Sequence, residues 1–218
     1  MQTTTIIFEI IILIFSVIIH EVSHGLMAER LGDPTARLQG RLTLNPLKHI
    51  DPLGSIIVPI ITTLGHFTFG WAKPVPFNPY NLKSRRVGEL LIALAGPVSN
   101  ICIALIFGTI IRVAVVHPDA AIFVSTATSA FAIGFIDLSR YIVLINIALA
   151  VFNLVPLPPL DGSKVLFSIF PQNQEWNEIR AQIERYSLFL VLILIVFLWQ
   201  FVTPVIPVLF QAFTGTSF

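Results

Sequence analysis

Charge is what this sequence has least of. Of its 218 residues only 11% are Asp, Glu, Lys or Arg, and 55% are hydrophobic; the mean hydropathy is +0.85. Soluble domains carry about 25% charged residues, so this composition places the chain among membrane proteins. A net charge of +1 leaves no basic field suited to nucleic acid. The lone cysteine, Cys102, excludes an intrachain disulfide, and its apolar neighbours predict a buried, inert thiol. There is no Gly-x-Ser-x-Gly, which argues against a serine hydrolase. No internal repeat, low-complexity tract or soluble domain is visible. The apolar run 6–19 has no basic residue before it and no small-x-small pattern after it. It therefore reads as a retained transmembrane helix and not as a signal peptide.

What the chain does have is long apolar runs. A spanning helix needs about 20 mostly apolar residues, and 6–27, 90–116 and 188–213 qualify. Pro204 and Pro207 predict a kink in the last. The run 121–160 is too long for one helix: it would reach about 60 Å and carry Asp137 and Arg140 to mid-membrane. Splitting it lets Asp137 or Ser139 cap a helix running to about Leu154, where Pro156, Pro158 and Pro159 end it. Residues 121–136 then form an apolar segment near the outer face. Residues 53–69, interrupted by Gly54, Pro59, Gly65 and His66, fit a shallow hairpin. In 36–44 polar and apolar residues alternate, Arg37, Gln39, Arg41 and Thr43 against Leu38, Leu42 and Leu44. Period two predicts a half-buried strand, with 68–78 as its partner.

The expected architecture is an all-α polytopic membrane protein with about four transmembrane helices, a membrane-associated hairpin and a small β-ribbon, in one domain over 1–218. Eleven basic residues, among them Arg30, Arg41, Lys73, Arg86, Lys164 and Arg180, fall on one side of this topology; only Arg112 and Arg140 fall on the other. The positive-inside rule makes the crowded side cytoplasmic and both termini external. Trp71 and Tyr80 are expected as interface anchors.

The densest chemistry is His20-Glu21-Val22-Ser23-His24 at the end of the first apolar run. On a helix, positions i and i+4 share a face, so both imidazoles can reach one metal ion. Imidazole suits zinc, and an adjacent carboxylate can take a proton from water that the metal has acidified. Two histidines and a glutamate at membrane depth are costly unless they bind something. A catalytic zinc site has three protein ligands and one open position. Glu9 lies three turns away, Glu89 stands at the cytoplasmic interface in a solvated or capping role, and Asp137 can pair with Arg140. That leaves Asp161, in Asn153-Leu-Val-Pro-Leu-Pro-Pro-Leu-Asp161-Gly162. His20 lies about 21 Å below the outer interface, and the helix from Ser139 descends about 23 Å before the proline segment. Both reach the same half of the membrane.

These motifs together resemble the site-2 protease family of intramembrane zinc proteases. Ala95-Gly96-Pro97-Val98-Ser99-Asn100 is similar to a further family motif. Arg41-Leu-Thr-Leu-Asn45-Pro46 and Gly70-Trp-Ala-Lys73-Pro-Val-Pro76 are similar to loops of its short prokaryotic members. The resemblance covers nearly the whole chain. It implies one zinc ion per chain on His20, His24 and Asp161, Glu21 as general base, and Asn153 and Asn100 as substrate-positioning or oxyanion groups. It implies a membrane-protein substrate, cut within or near the bilayer, and an active site toward the cytoplasmic side of the cell membrane. Larger family members add PDZ or CBS domains, for which this sequence has no room. For each asparagine, interhelical hydrogen bonding is the alternative. His66 and His49 are weaker candidates, and the strand 36–44 could pair with an unwound substrate. Two other readings remain: a non-proteolytic metal-binding or transport protein, and a zinc protease of another family with Glu89 as third ligand.

Overall fold

The structure, a computed structural model, describes residues 2–58, 60, 71–116, 129–170, 174–187, 189–190, 200 and 203–217. Within these the helices are α1 (Gln2–Arg30), α2 (Thr35–Leu38), α3 (Arg85–Val116), α4 (Ser129–Asn153), α5 (Asp161–Ile169), α6 (Gln174–Arg185) and α7 (Val205–Thr214). Three stretches are long and apolar enough to cross a membrane: Ile6–Arg30, Arg85–Val115 and Phe131–Asn153. A spanning helix closes its own backbone hydrogen bonds, which hydrocarbon demands. Its outward face needs no polar group, and Ile6, Ile10, Ile106 and Val113 point outward accordingly.

Helix α3 is the hub, packed against α1, α4, α5 and α7. Small residues let its neighbours approach: Ala93 and Ala104 are fully buried, and Gly108 lies against Phe213. In a bilayer, where lipid is as apolar as leucine, such close backbone packing drives helix association. Ala104, Ile111, Val143, Ile147, Ile206 and Phe210 join α3, α4 and α7 in one apolar cluster. A second cluster of Ala28, Leu82 and Ile92, with Met27, Leu31 and Phe77, ties the end of α1 to α3 and the loop before it.

Several expectations change. Helix α4 does not begin at Asp137 or Ser139 but runs through both from Ser129. No break is needed, because Ser139 donates to the Phe135 carbonyl in the preceding turn. Asp137 and Arg140 pair one turn apart on the surface, at 3.3 Å. Cys102 is exposed on the outer face of α3, not buried. No strand occurs among the described residues, and 36–44 is not half of a ribbon. It opens with the single turn of α2 and continues through a glycine at positive φ, Gly40. The reason is Arg41, which the alternation assigned to the polar face. Its guanidinium is buried and donates to the carbonyls of Lys48, Lys73 and Pro74, replacing a ladder with side-chain-to-backbone bonds.

The start of the expected hairpin is a π-helical turn, Pro52–Ile57, capped by Asp51. Residues 59 and 61–70, including His66, lie outside the described residues, as do 117–128 and most of 188–202. Near the end of the expected span 188–213 the structure describes the helix α7, Val205–Thr214.

Candidate metal centre

Helix α1 carries Ser16, His20, His24 and Ala28 at intervals of four, and all four are buried. A four-residue repeat places them in one stripe, which faces α3 and α4. The proline segment after α4 brings α5 back against α3. Asp161 is the first residue of α5 and is buried. The glycine after it is required: a Cβ on Gly162 would run into the carbonyl oxygens of Leu154 and Val155.

Three side-chain atoms converge. Asp161 Oδ2 lies 3.1 Å from His20 Nε2 and 3.1 Å from His24 Nε2. The two imidazoles meet edge to face, with centroids 4.7 Å apart. The other carboxylate oxygen, Asp161 Oδ1, receives Lys164 Nζ at 3.2 Å. The room for both rings comes from α3. A Cβ on Gly96 would stand 2.6 Å from His20 Nε2 and nearer still to His24 Nε2.

The far side of each ring determines its chemistry. His24 Nδ1 is 2.6 Å from the Ile92 carbonyl oxygen, which can only accept, so Nδ1 carries the proton. His20 Nδ1 is 2.5 Å from Asn100 Oδ1, also an acceptor. In the neutral rings both Nε2 lone pairs then face one carboxylate oxygen. Three acceptors directed at one point repel unless a cation lies among them. Two imidazole nitrogens and a carboxylate oxygen are a zinc donor set, with a fourth position left for water or substrate. The residues therefore fit the metal that the sequence implied.

Glu21 stands beside this group. His20, Glu21 and His24 each offer an atom within 4.8 Å of the others. Its Oε2 accepts the backbone N–H of Val75 at 2.9 Å, from the segment between Pro74 and Pro76. That segment seats on Gly25, one turn along α1, where a Cβ would strike Val75 and Leu42.

The other candidates separate cleanly. Glu89 is not solvated but buried, and both its oxygens are engaged, by Arg85 at 2.8 Å and Arg180 at 3.2 Å. It is an ion-pair partner, not a spare ligand. Asn153 turns its amide onto the Leu149 carbonyl of its own helix, at 2.9 Å. Asn100 is brought to His20, is fully buried, and also donates to Asn146 Oδ1 at 2.8 Å. His49 bonds to the Thr43 carbonyl in the loop. Sequence reasoning missed Ser16, Asn146 and Val75. The first two left a signal, as polar residues inside apolar runs with Ser16 one turn before His20; Val75 left none, because its contribution is a backbone N–H.

Comparison with known proteins agrees with this geometry. Residues 8–198 match Peptidase family M50. The chain belongs to that family, the site-2 proteases. YwhC of Bacillus subtilis, a candidate zinc metalloprotease by name, is 37% identical over 89% of this chain and 80% of its own length. Rip2 of Mycolicibacterium smegmatis, named in the same way, is 30% identical over 84% of this chain and 64% of its own length. Rip2 of Mycobacterium tuberculosis is 28% identical over 69% of this chain and 52% of its own length. No solved structure matches. This M50 protein is thus a multi-pass membrane protein and an intramembrane zinc metalloprotease.

Proposed function

We infer that His20, His24 and Asp161 hold one zinc ion per chain and that Glu21 is the general base of peptide hydrolysis. The observation that carries this is the meeting of His20 Nε2, His24 Nε2 and Asp161 Oδ2, each nitrogen 3.1 Å from the carboxylate oxygen. When bound, zinc polarises the scissile carbonyl and makes water acidic enough to lose a proton near neutral pH. Glu21 would take a proton from the water as its oxygen bonds to the carbonyl carbon, and would return it to the amine as the C–N bond breaks. The Val75 N–H holds Oε2, so the carboxylate keeps one orientation through both transfers. Asn100 enters through His20 and not through substrate, since both ends of its amide are engaged. Asn153, half-buried where α4 ends, is assigned to the substrate side.

The finer topology belongs to the same reading. The chain is one protease domain over 1–218, with 188–213 as a fourth span. The excess of Lys and Arg in the loops around 31–58, 71–86 and 164–185 supports a cytoplasmic active site in the cell membrane. The substrate is a membrane protein with a transmembrane segment.

Zinc content of the purified protein, wild type beside Asp161→Ala, tests the ligand set. About one zinc per chain, lost in the variant, is expected for a three-ligand site. Zinc retained by Asp161→Ala would remove Asp161 from the site.

A further inference from the structure

One polar side chain in the membrane interior is used by nothing described so far. Asn146 sits in the middle of α4 among Ile, Leu and Val, and it is fully buried. A buried amide in such surroundings is destabilising unless its groups are bonded, and here they all are. Its Nδ2 donates to the Ile142 carbonyl at 2.8 Å and to Ser16 Oγ at 2.9 Å. Its Oδ1 accepts from Asn100 Nδ2 at 2.8 Å.

The direction of this chain is not free. A backbone carbonyl only accepts, so the Ile142 oxygen fixes which end of Asn146 is the donor. Asn146 Oδ1 must then face Asn100 and accept at 2.8 Å, which fixes Asn100 Nδ2 toward α4, with a longer contact to the Ser16 carbonyl at 3.5 Å on the same side. Asn100 Oδ1 is left facing His20 Nδ1, and only a protonated Nδ1 satisfies it. In the neutral ring that proton leaves Nε2 bare, facing Asp161 and His24. His24 needs no such chain, because the Ile92 carbonyl orients it in one step.

We propose that Asn146, supported by Ser16, is a positioning residue of the protease: it orients the Asn100 amide and so fixes His20 as the Nδ1–H tautomer, with Nε2 ready for metal. The proposal rests on His20 being a zinc ligand, but the tautomer is measured without zinc. Losing the direct outer-shell partner of a ligating histidine typically lowers metal affinity about 10–100-fold; Asn146→Leu, which acts through Asn100, is expected at about the lower end of that range.

The experiment uses the full chain in detergent, labelled with ¹⁵N-histidine, zinc-free, at about pH 9, well above the ordinary imidazole value. His20 is assigned by its absence in His20→Ala. Wild type should show His20 as Nδ1–H. Asn146→Leu should shift it toward Nε2–H while His24 stays unchanged, and zinc affinity by chelator competition should fall. An Asn100→Leu/Asn146→Leu double variant should bind zinc no worse than Asn100→Leu. Nε2–H at His20 in wild type would overturn the proposal even if no variant folds. So would folded Asn146→Leu with wild-type tautomer and zinc affinity. Zinc retained by His20→Ala would refute the ligand reading instead, and the tautomer would still decide the relay.

Discussion

The buried centre between α1, α3 and α4 and the described segments 31–58 and 71–82 both rest on hydrogen bonds from polar side chains, but in different proportions. In the centre, side chains bond to side chains of other helices: Ser16 to Asn146, Asn146 to Asn100, and Asn100 to His20, whose Nε2 faces Asp161. In the loops, side chains bond more often to backbone: Asn45 to the Leu47 N–H, Asp51 to those of Leu53 and Gly54, Asn78 to that of Tyr80, Arg41 to three carbonyls. Helices satisfy their own backbone, so a polar side chain inside them is available for function, and its burial is tolerated only when it is bonded. Loops lack a ladder, so their polar side chains supply one. Changes in the centre should therefore alter chemistry more than stability, and changes in the loops should do the reverse.

The largest expected effect is at Glu21. Glu21→Gln keeps the shape and removes the base, so cleavage of a membrane-embedded substrate should fall about 10²–10⁴-fold while zinc content stays at wild type. Cleavage at the wild-type rate would remove Glu21 as base.

Gly96→Ala comes next. Its methyl group collides with both Nε2 positions, and overpacking of a tight site costs about 1–3 kcal/mol. Zinc affinity should drop, and the melting temperature of the zinc-free protein should fall by only about 2–4 °C per kcal/mol. If melting falls and zinc binding does not, the separation drawn between centre and loops fails here.

Asp33 offers the converse. It is fully buried beyond the end of α1 and accepts from Thr35 twice, from the Asn78 N–H at 2.6 Å and from Asn81 at 2.7 Å. Burial alone would raise its carboxyl, but these hydrogen bonds outweigh it and hold the group below its ordinary value of 3.8. Asp33→Asn turns an acceptor into a donor against donors, at a cost of about 1–3 kcal/mol. Because the folded value is the lower one, the wild-type advantage is full above 3.8 and disappears as pH falls through the folded value. Thermal unfolding of both proteins against pH should show that convergence, with zinc affinity unchanged in the folded variant.

The smallest effect is expected at Asn45, the exposed cap of the 3₁₀ turn Pro46–Lys48. Asn45→Ala should lower stability by about 1 kcal/mol or less, with zinc binding and cleavage intact. A loss of cleavage would show that this loop serves the substrate directly.

Much of this was legible in the sequence because the physics involved is local. A membrane forces long apolar runs into helices, so α1 and α3 could be read from composition, and α4 less well. Its start was misplaced because Asp137 and Arg140 read in sequence as an interface, whereas they pair at 3.3 Å one turn apart and the helix runs through both. The spacing of His20 and His24 fixes their common face, and the lack of spare carboxylates pointed to Asp161. The alternation in 36–44 misled, because period two cannot foresee that Arg41 turns inward onto carbonyls of residues up to 33 positions away.

The sequence by itself thus determined the membrane class, the two histidines on one helical face, the adjacent carboxylate and the candidate third ligand, since each follows from solvent or from helical periodicity. Only the tertiary structure decided that Arg180 reaches Glu89, that Gly96 makes room for the imidazoles, that Val75 holds Glu21, and that Asn146 speaks to His20 through Asn100. Those are contacts between residues 46 to 91 positions apart, set by how helices pack and which acceptor each donor meets, and no local pattern encodes them.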